Sequence, residues 1–457
     1  MNDGQAAEEN RQYGRSAAGL TLALGLGGIL TYVFFALASR SLDPDEYGEI
    51  VVLWSVVYLL ASTLFRPVEQ LLARTLAERE QVGAPTADAL RTSALIQIGI
   101  VTALVLVLLL AREPIDEALF DEKEGFYWAM IAALIGFGLA FYARGFLAGR
   151  GQFPLYAALV MGEVLLRLVF ALLVAVGIAE GAGALAVGIA VAPLASLAVL
   201  PLATRRGARR EAVNAADNPA LGEHELSLGS GGAFAGAVLM MMLSEQVLVS
   251  SGALFVRAEE GAAAAGFIFN ILLIARAPLV LFQAIAASLL PHLTRLRARG
   301  DETSDEAFRS SLQNTMILIA GFAVVVTLAL LAIGPQVMQI AFGDSFDYDR
   351  LGLALMGIGM GFYLVAASLN QAVLAQGQAH RAAARWLICA AAFIVFNLIP
   401  GIDAFRAVEI GFAGSSALLA GLLYLLYIRP HPSAADTFTP GSGRELQARL
   451  ASTDEIA

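Results

Sequence analysis

The chain has 457 residues, a net charge of −10, 58% apolar and 15% charged residues, and a mean hydropathy of +0.71. Soluble domains carry about a quarter charged residues, so these figures exclude a soluble globular protein and mark a polytopic membrane protein. The single cysteine, Cys389, excludes an intrachain disulfide and a cysteine-cluster metal site, and the acidic balance gives no footprint for nucleic acid.

A hydrocarbon core about 30 Å thick takes roughly 20 helical residues to cross. Twelve stretches approach or exceed that: 16–38, 47–66, 90–111, 126–148, 155–178, 183–203, 228–251, 263–290, 311–334, 350–376, 382–400 and 405–428. Although Ala36-Leu37-Ala38 resembles a cleavage site, the first stretch reads as a span. Its apolar run exceeds the roughly 7 to 15 residues of a signal core, and Asp3, Glu8 and Glu9 precede it. The chain then divides into a cytoplasmic N-terminal segment 1–15, a six-helix lobe 16–203, a basic linker 204–227 with Arg205, Arg206, Arg209 and Arg210, a second six-helix lobe 228–428, and a disordered cytoplasmic tail 429–457. Most basic residues fall on alternate loops and both tails, whereas the opposite loops hold Arg40, Arg112, Lys123, Arg257 and Arg350 beside many carboxylates. The expectation is a cytoplasmic-membrane protein with both termini inside.

The halves repeat. Tyr47-Gly48 aligns with Ala265-Gly266 and Leu90-Arg91-Thr92-Ser93 with Phe308-Arg309-Ser310-Ser311, both at one offset; at slightly larger ones Pro114–Phe120 meets Pro335–Phe342 and Gly151-Gln152 meets Gly377-Gln378. Six spans per half is an even number, so the second half enters the bilayer from the same side as the first. The repeats are parallel, an arrangement built around a central cavity between two bundles.

The segment Arg40–Gly48, the pattern Ala265-Gly266-Phe267 with Ala277-Pro278 and Leu290-Pro291, the stretch Pro335–Gly343, and the Gly151-Gln152 and Gly377-Gln378 span ends resemble the Wzx-type polysaccharide or oligosaccharide flippases. These belong to the multidrug, oligosaccharidyl-lipid and polysaccharide exporter superfamily. The resemblance covers most of 16–428 and implies two six-helix lobes, a cationic central cavity, and alternating access that moves a polyprenyl-linked glycan from the inner to the outer leaflet.

Charges at membrane depth cost roughly 2.5–3.5 kcal/mol on insertion scales and are candidates for function. Arg276 lies deep in the eighth span with Pro278 after it, where the helix can kink; it suits phosphate, or is tied to a carboxylate such as Glu245. Glu163 and Arg167 in the fifth span share a face at four-residue spacing, as a structural ion pair or as a pair that opens when Arg167 binds an anionic head. Glu163 and Glu245 are the candidate coupling groups for a proton or sodium ion; no other cofactor is called for. Arg66, Arg74, Arg144 and Arg150 lie near cytoplasmic span ends, as headgroup anchors or as a basic entrance for a pyrophosphate-linked lipid. Asn270, Gln283, Asn314, Asn370, Gln371 and Asn397 are intramembrane amides suited to helix–helix hydrogen bonds, with Asn370 and Gln371 also placed to meet sugar hydroxyls.

Gly229-Ser230-Gly231-Gly232 lacks a following lysine, and Gly149-Arg150-Gly151 closes a helix, so neither is a nucleotide loop. His224, His292, His380 and His431 stand at no metal-ligand spacing, and no nucleophile has an adjacent base. These features point away from an enzyme; the resemblance implies a flippase whose partners are a polyprenyl-phosphate- or pyrophosphate-linked glycan, membrane lipids, and envelope glycosyltransferases or a polymerase. The alternatives are an ion-coupled multidrug exporter of the same superfamily, another transporter fold with two six-helix halves, and a non-transporting scaffold for cell-envelope assembly.

Overall fold

A computed structural model describes residues 3–81, 83–202, 228–276, 302–346 and 348–428. The first half comprises α1 (Asp3–Ser41), α2 (Pro44–Leu64), α3 (Arg66–Gln81), α4 (Ala87–Leu110), α5 (Arg112–Phe120), α6 (Glu124–Gly149), α7 (Phe153–Ala175) and α8 (Gly181–Ser196). The second comprises α9 (Leu228–Ser250), α10 (Gly252–Glu260), α11 (Ala262–Arg276), α12 (Glu302–Phe342), α13 (Arg350–Ala375), α14 (Ala379–Asn397) and α15 (Ala404–Ile428). Ten helical stretches among the described residues are long and apolar enough to cross a membrane, and α9 with α10, bent by 45°, makes an eleventh. Of the expected span 263–290 only the part within α11 is described; Pro278, with its expected kink, and Gln283 lie outside the described residues, as do the linker 204–227 and the tail 429–457.

Local chemistry sets the ends. Pro44 opens α2 with Asp45 and Glu46 in its first turn, where a fixed φ and negative charge suit a helix N-terminus. Span two does not stop at residue 66. Pro67 withholds one backbone donor, yet the chain runs on from Phe65 into α3, giving a 37-residue stretch from Pro44 to Glu80. Glu69, placed after the expected end of that span, is therefore part of the bundle.

The repeat is visible in packing. α1 lies along α7 as α9 lies along α14; α6 packs on α8 as α13 packs on α15; α4 meets α6 as α12 meets α13; and α7 meets α8 as α14 meets α15. It extends to backbone detail. Gly151 and Gly377 both have positive φ, 62° and 76°, and the same pair of bonds closes each helix: Gln152 N to Leu147 O and Gly151 N to Ala148 O, then Gln378 N to Val373 O and Gly377 N to Leu374 O. This is the glycine-terminated helix stop that satisfies the last carbonyls. The halves differ around the proline of their third spans. The segment around Pro114 forms a separate helix, α5, whereas its counterpart around Pro335 is absorbed into the continuous α12.

The lobes meet at the end that the charge asymmetry assigns to the outside. Gly48 lies so close to α11 that a Cβ there would stand 1.8 Å from the Ala262 carbonyl oxygen. Beside it the buried Tyr47 hydroxyl donates to Asn270 Oδ1, an inter-helix use of that amide, and the Tyr47 ring meets Phe346 at 5.3 Å. Phe35 packs on Phe269 at 4.6 Å, and Tyr32 donates to the Leu273 carbonyl. Arg40 donates to the carbonyls of Ile340 and Ala341 at the end of α12, where a cation opposes the negative end of the helix. Arg257 pairs with Asp121 at 2.6 Å and reaches the Leu119 carbonyl. Arg40 and Arg257, two of the basic residues expected on the outer side, thus join one lobe to the other.

Candidate functional site

In α7 the four-residue spacing places Glu163 and Arg167 on one face, and their side chains pair at 2.9 Å. A third member comes from α6: Arg144 bonds the other oxygen of Glu163. Glu163 and Arg167 are buried, at 3% and 5% exposure, so one carboxylate is shared by two guanidinium groups. Arg167 lies over the Trp54 ring at 4.4 Å, and Trp54 stacks on Tyr58 one turn further along α2, at 5.6 Å and 21°. Nearby, Tyr156 donates to the buried Glu69 at 2.6 Å, which lies within electrostatic reach of Arg66 and Arg144.

The second lobe contributes a facing group. Tyr363 donates to Glu245 at 2.7 Å, Trp386 meets the Tyr363 ring edge-on at 6.1 Å, and the Trp386 indole donates to Asn370 Oδ1 at 3.1 Å. Arg276, at the end of α11, lies within electrostatic reach of Tyr32, Tyr58, Tyr363 and Glu245. Arg66 is within reach of Tyr58 and Glu245 as well. Charges from both lobes therefore converge, with Tyr58 within reach of Arg66, Arg144, Arg167 and Arg276 alike.

Among the described residues, the Nε atoms of Arg144, Arg167 and Arg276 are buried without a hydrogen-bond partner. An unpartnered buried donor is costly and calls for a reason. Guanidinium groups match the oxygens of a phosphate through paired hydrogen bonds.

The expected residues separate into groups. Arg276, Arg167, Arg66, Arg144, Glu163 and Glu245 converge. Arg74 does not join them; it sits on the exposed side of α3, paired with Glu78 at 2.7 Å. Arg150 pairs with Glu80 at 3.7 Å at the end of α6. Asn370 is engaged by Trp386 within the second lobe, and Gln371 is half-buried beside it. Asn397 donates within its own helix, and Asn314 is exposed. Glu69, Trp54, Tyr58, Tyr156 and Tyr363 belong to the site without having been singled out. Glu69 had a signal, lying three residues after Arg66, but Arg66-Pro67 reads as a span end.

No family model matches the chain. It is 27% identical over 379 residues to an uncharacterized protein of Mycobacterium tuberculosis (strain ATCC 25618 / H37Rv), covering 79% of this chain and 83% of that one. An uncharacterized protein of Mycobacterium bovis is 26% identical over 373 residues, covering 78% and 81%. Among solved structures, the inward-facing conformation of a multidrug resistance MATE family transporter of the MOP superfamily superposes with a TM-score of 0.63, at 13% identity, covering 89% of this chain and 96% of that one. The chain has the MATE fold. A eukaryotic MATE transporter gives 0.60 at 14% identity, covering 93% and 96%, and a mutant of the Vibrio cholerae MATE transporter VcmN gives 0.59 at 14%, covering 91% and 96%. The MATE fold extends over both lobes, in keeping with two six-helix halves.

Proposed function

We propose that the chain is a transporter that flips a polyprenyl-phosphate- or pyrophosphate-linked oligosaccharide or polysaccharide precursor from the inner to the outer leaflet of the cytoplasmic membrane by alternating access. The observation that carries this reading is the convergence of four arginines from both lobes, three with a buried, unpartnered Nε–H among the described residues. The nearby carboxylates, Glu69, Glu163 and Glu245, are fewer. Such a surface favours an anionic head over a cation, because opposite charges interact strongly where water is partly excluded. Arg276, Arg66, Arg144 and Arg167 hold the phosphates, with Arg74 and Arg150 lining the way in from the cytoplasmic leaflet. Asn370 and Gln371 face the glycan. The tight outer seam and the likeness to an inward-facing MATE structure support a resting state open to the cytoplasm. Glu163 and Glu245 couple the cycle to a proton or sodium ion, and envelope glycosyltransferases or a polymerase supply and consume the cargo.

A second reading, ion-coupled export of multiple drugs, is favoured by the printed function of one structural neighbour, a multidrug resistance transporter. The two separate in reconstituted vesicles. With a fluorescent polyprenyl-pyrophosphate-linked glycan in the outer leaflet, protein-dependent loss of lectin accessibility supports flipping. Uptake of ethidium with no movement of the glycan lipid would overturn it.

A further inference from the structure

Tyr58 is 39% exposed, while its stacking partner Trp54 is 8% exposed. Trp54 is fixed by Arg167 over its ring and by Phe35 edge-on at 5.8 Å, so Tyr58 is the exposed member of a stack that begins at a buried guanidinium. Four arginines drawn from both lobes lie within its electrostatic reach.

The chemistry of that position selects an occupant. The face of an aromatic ring is negative and its edge positive, so a phosphate is repelled from the Tyr58 face and goes to the guanidinium groups around it. A planar aromatic cation suits the ring but is opposed by four positive charges. A pyranose ring fits both demands: its axial C–H bonds are weakly positive and pack on an aromatic face, while its hydroxyls meet charged side chains at the rim.

We propose that Tyr58, backed by Trp54, is a stacking platform for the sugar ring directly attached to the phosphate of the cargo. This rests on the glycan-flipping reading and adds to it a residue that reads the first sugar, separate from the arginines that read the phosphate. Cargo without a sugar is thereby distinguished from loaded cargo.

The test uses the full chain in lipid nanodiscs and three probes: farnesyl pyrophosphate, farnesyl pyrophosphate bearing one N-acetylhexosamine, and ethidium. The wild type should bind the sugar-bearing probe about two- to tenfold more tightly than the bare one, the range of an aromatic stacking contact. Tyr58→Leu should erase that difference, with the sugar-bearing probe losing more affinity than bare farnesyl pyrophosphate. Tyr58→Phe should retain the difference, since the ring and not the hydroxyl makes the contact, and it shows that loss in the leucine variant is not misfolding. Arg276→Ala should weaken both lipid probes equally. If Tyr58→Leu keeps the preference, or the wild type binds both lipids alike, the platform is overturned while the flippase reading stands. If the wild type binds neither lipid but binds ethidium, the flippase reading falls and the platform with it.

Discussion

At the scale of single residues, Glu163 and Arg276 represent opposite situations. Glu163 balances the buried Arg167 and the half-buried Arg144 at once, so removing its carboxylate leaves Arg167 uncompensated and Arg144 with only the more distant Glu69. Glu163→Ala should destabilise the protein by about 3–5 kcal/mol, seen as a lower unfolding temperature in detergent, and a second change, Arg144→Met, should restore part of the loss. Arg276 has a buried Nε with no partner among the described residues. Arg276→Ala should therefore leave stability unchanged or raise it while abolishing flipping of a labelled glycan lipid at normal protein abundance. Arg276→Lys should recover only part of the activity, because an ammonium lacks the planar fork. Unimpaired flipping by the alanine variant would remove Arg276 from the site.

At the scale of elements, the seam between α2 and α11 and the glycine stops of α6 and α13 are the sensitive points. A methyl group at Gly48 cannot be accommodated 1.8 Å from the Ala262 carbonyl, and the obstacle is backbone that cannot rotate away. Gly48→Ala should hold the outer ends apart. Spin labels on the exposed Asp45 and Glu259, introduced as cysteines with Cys389→Ser, should show a longer distance distribution in that variant, and an unchanged distribution would show that the seam is not a gate. The two stops give a matched pair. Gly151→Ala and Gly377→Ala each place a side chain at a left-handed backbone position in open space, so strain alone should cost about 1–2 kcal/mol in each, measurable as similar shifts in thermal unfolding.

For the whole molecule, two lobes that meet along the α2–α11 seam, with deep carboxylates, give a means of coupling. Moving one elementary charge across 100 mV supplies about 2.3 kcal/mol, enough to bias the exchange between two access states. Glu245 accepts from Tyr363 and lies within reach of Arg66 and Arg276, so its charge is felt across both lobes. Glu245→Gln should slow flipping in vesicles and flatten its dependence on an imposed proton or sodium gradient. If the gradient dependence persists, coupling lies in another group.

Much of the fold was legible in the sequence because it is local. Hydropathy over about 20 residues locates each span, an even number of spans per half makes the repeat parallel, and Gly151 and Gly377 mark equivalent stops because only a residue without a side chain takes that turn easily. The Glu163–Arg167 pair was legible for the same reason: four-residue spacing on a helix is itself geometry. What the tertiary structure decided is non-local. Arg144 joins the pair from another helix, Glu69 enters the bundle because α3 continues past Pro67, and Arg276 comes into reach of Tyr58 across more than two hundred positions of chain. In an apolar span a tyrosine that packs in the core and one that faces a binding site have the same neighbours in sequence, so only the docking of the two lobes separates Tyr58 from the buried aromatics around it.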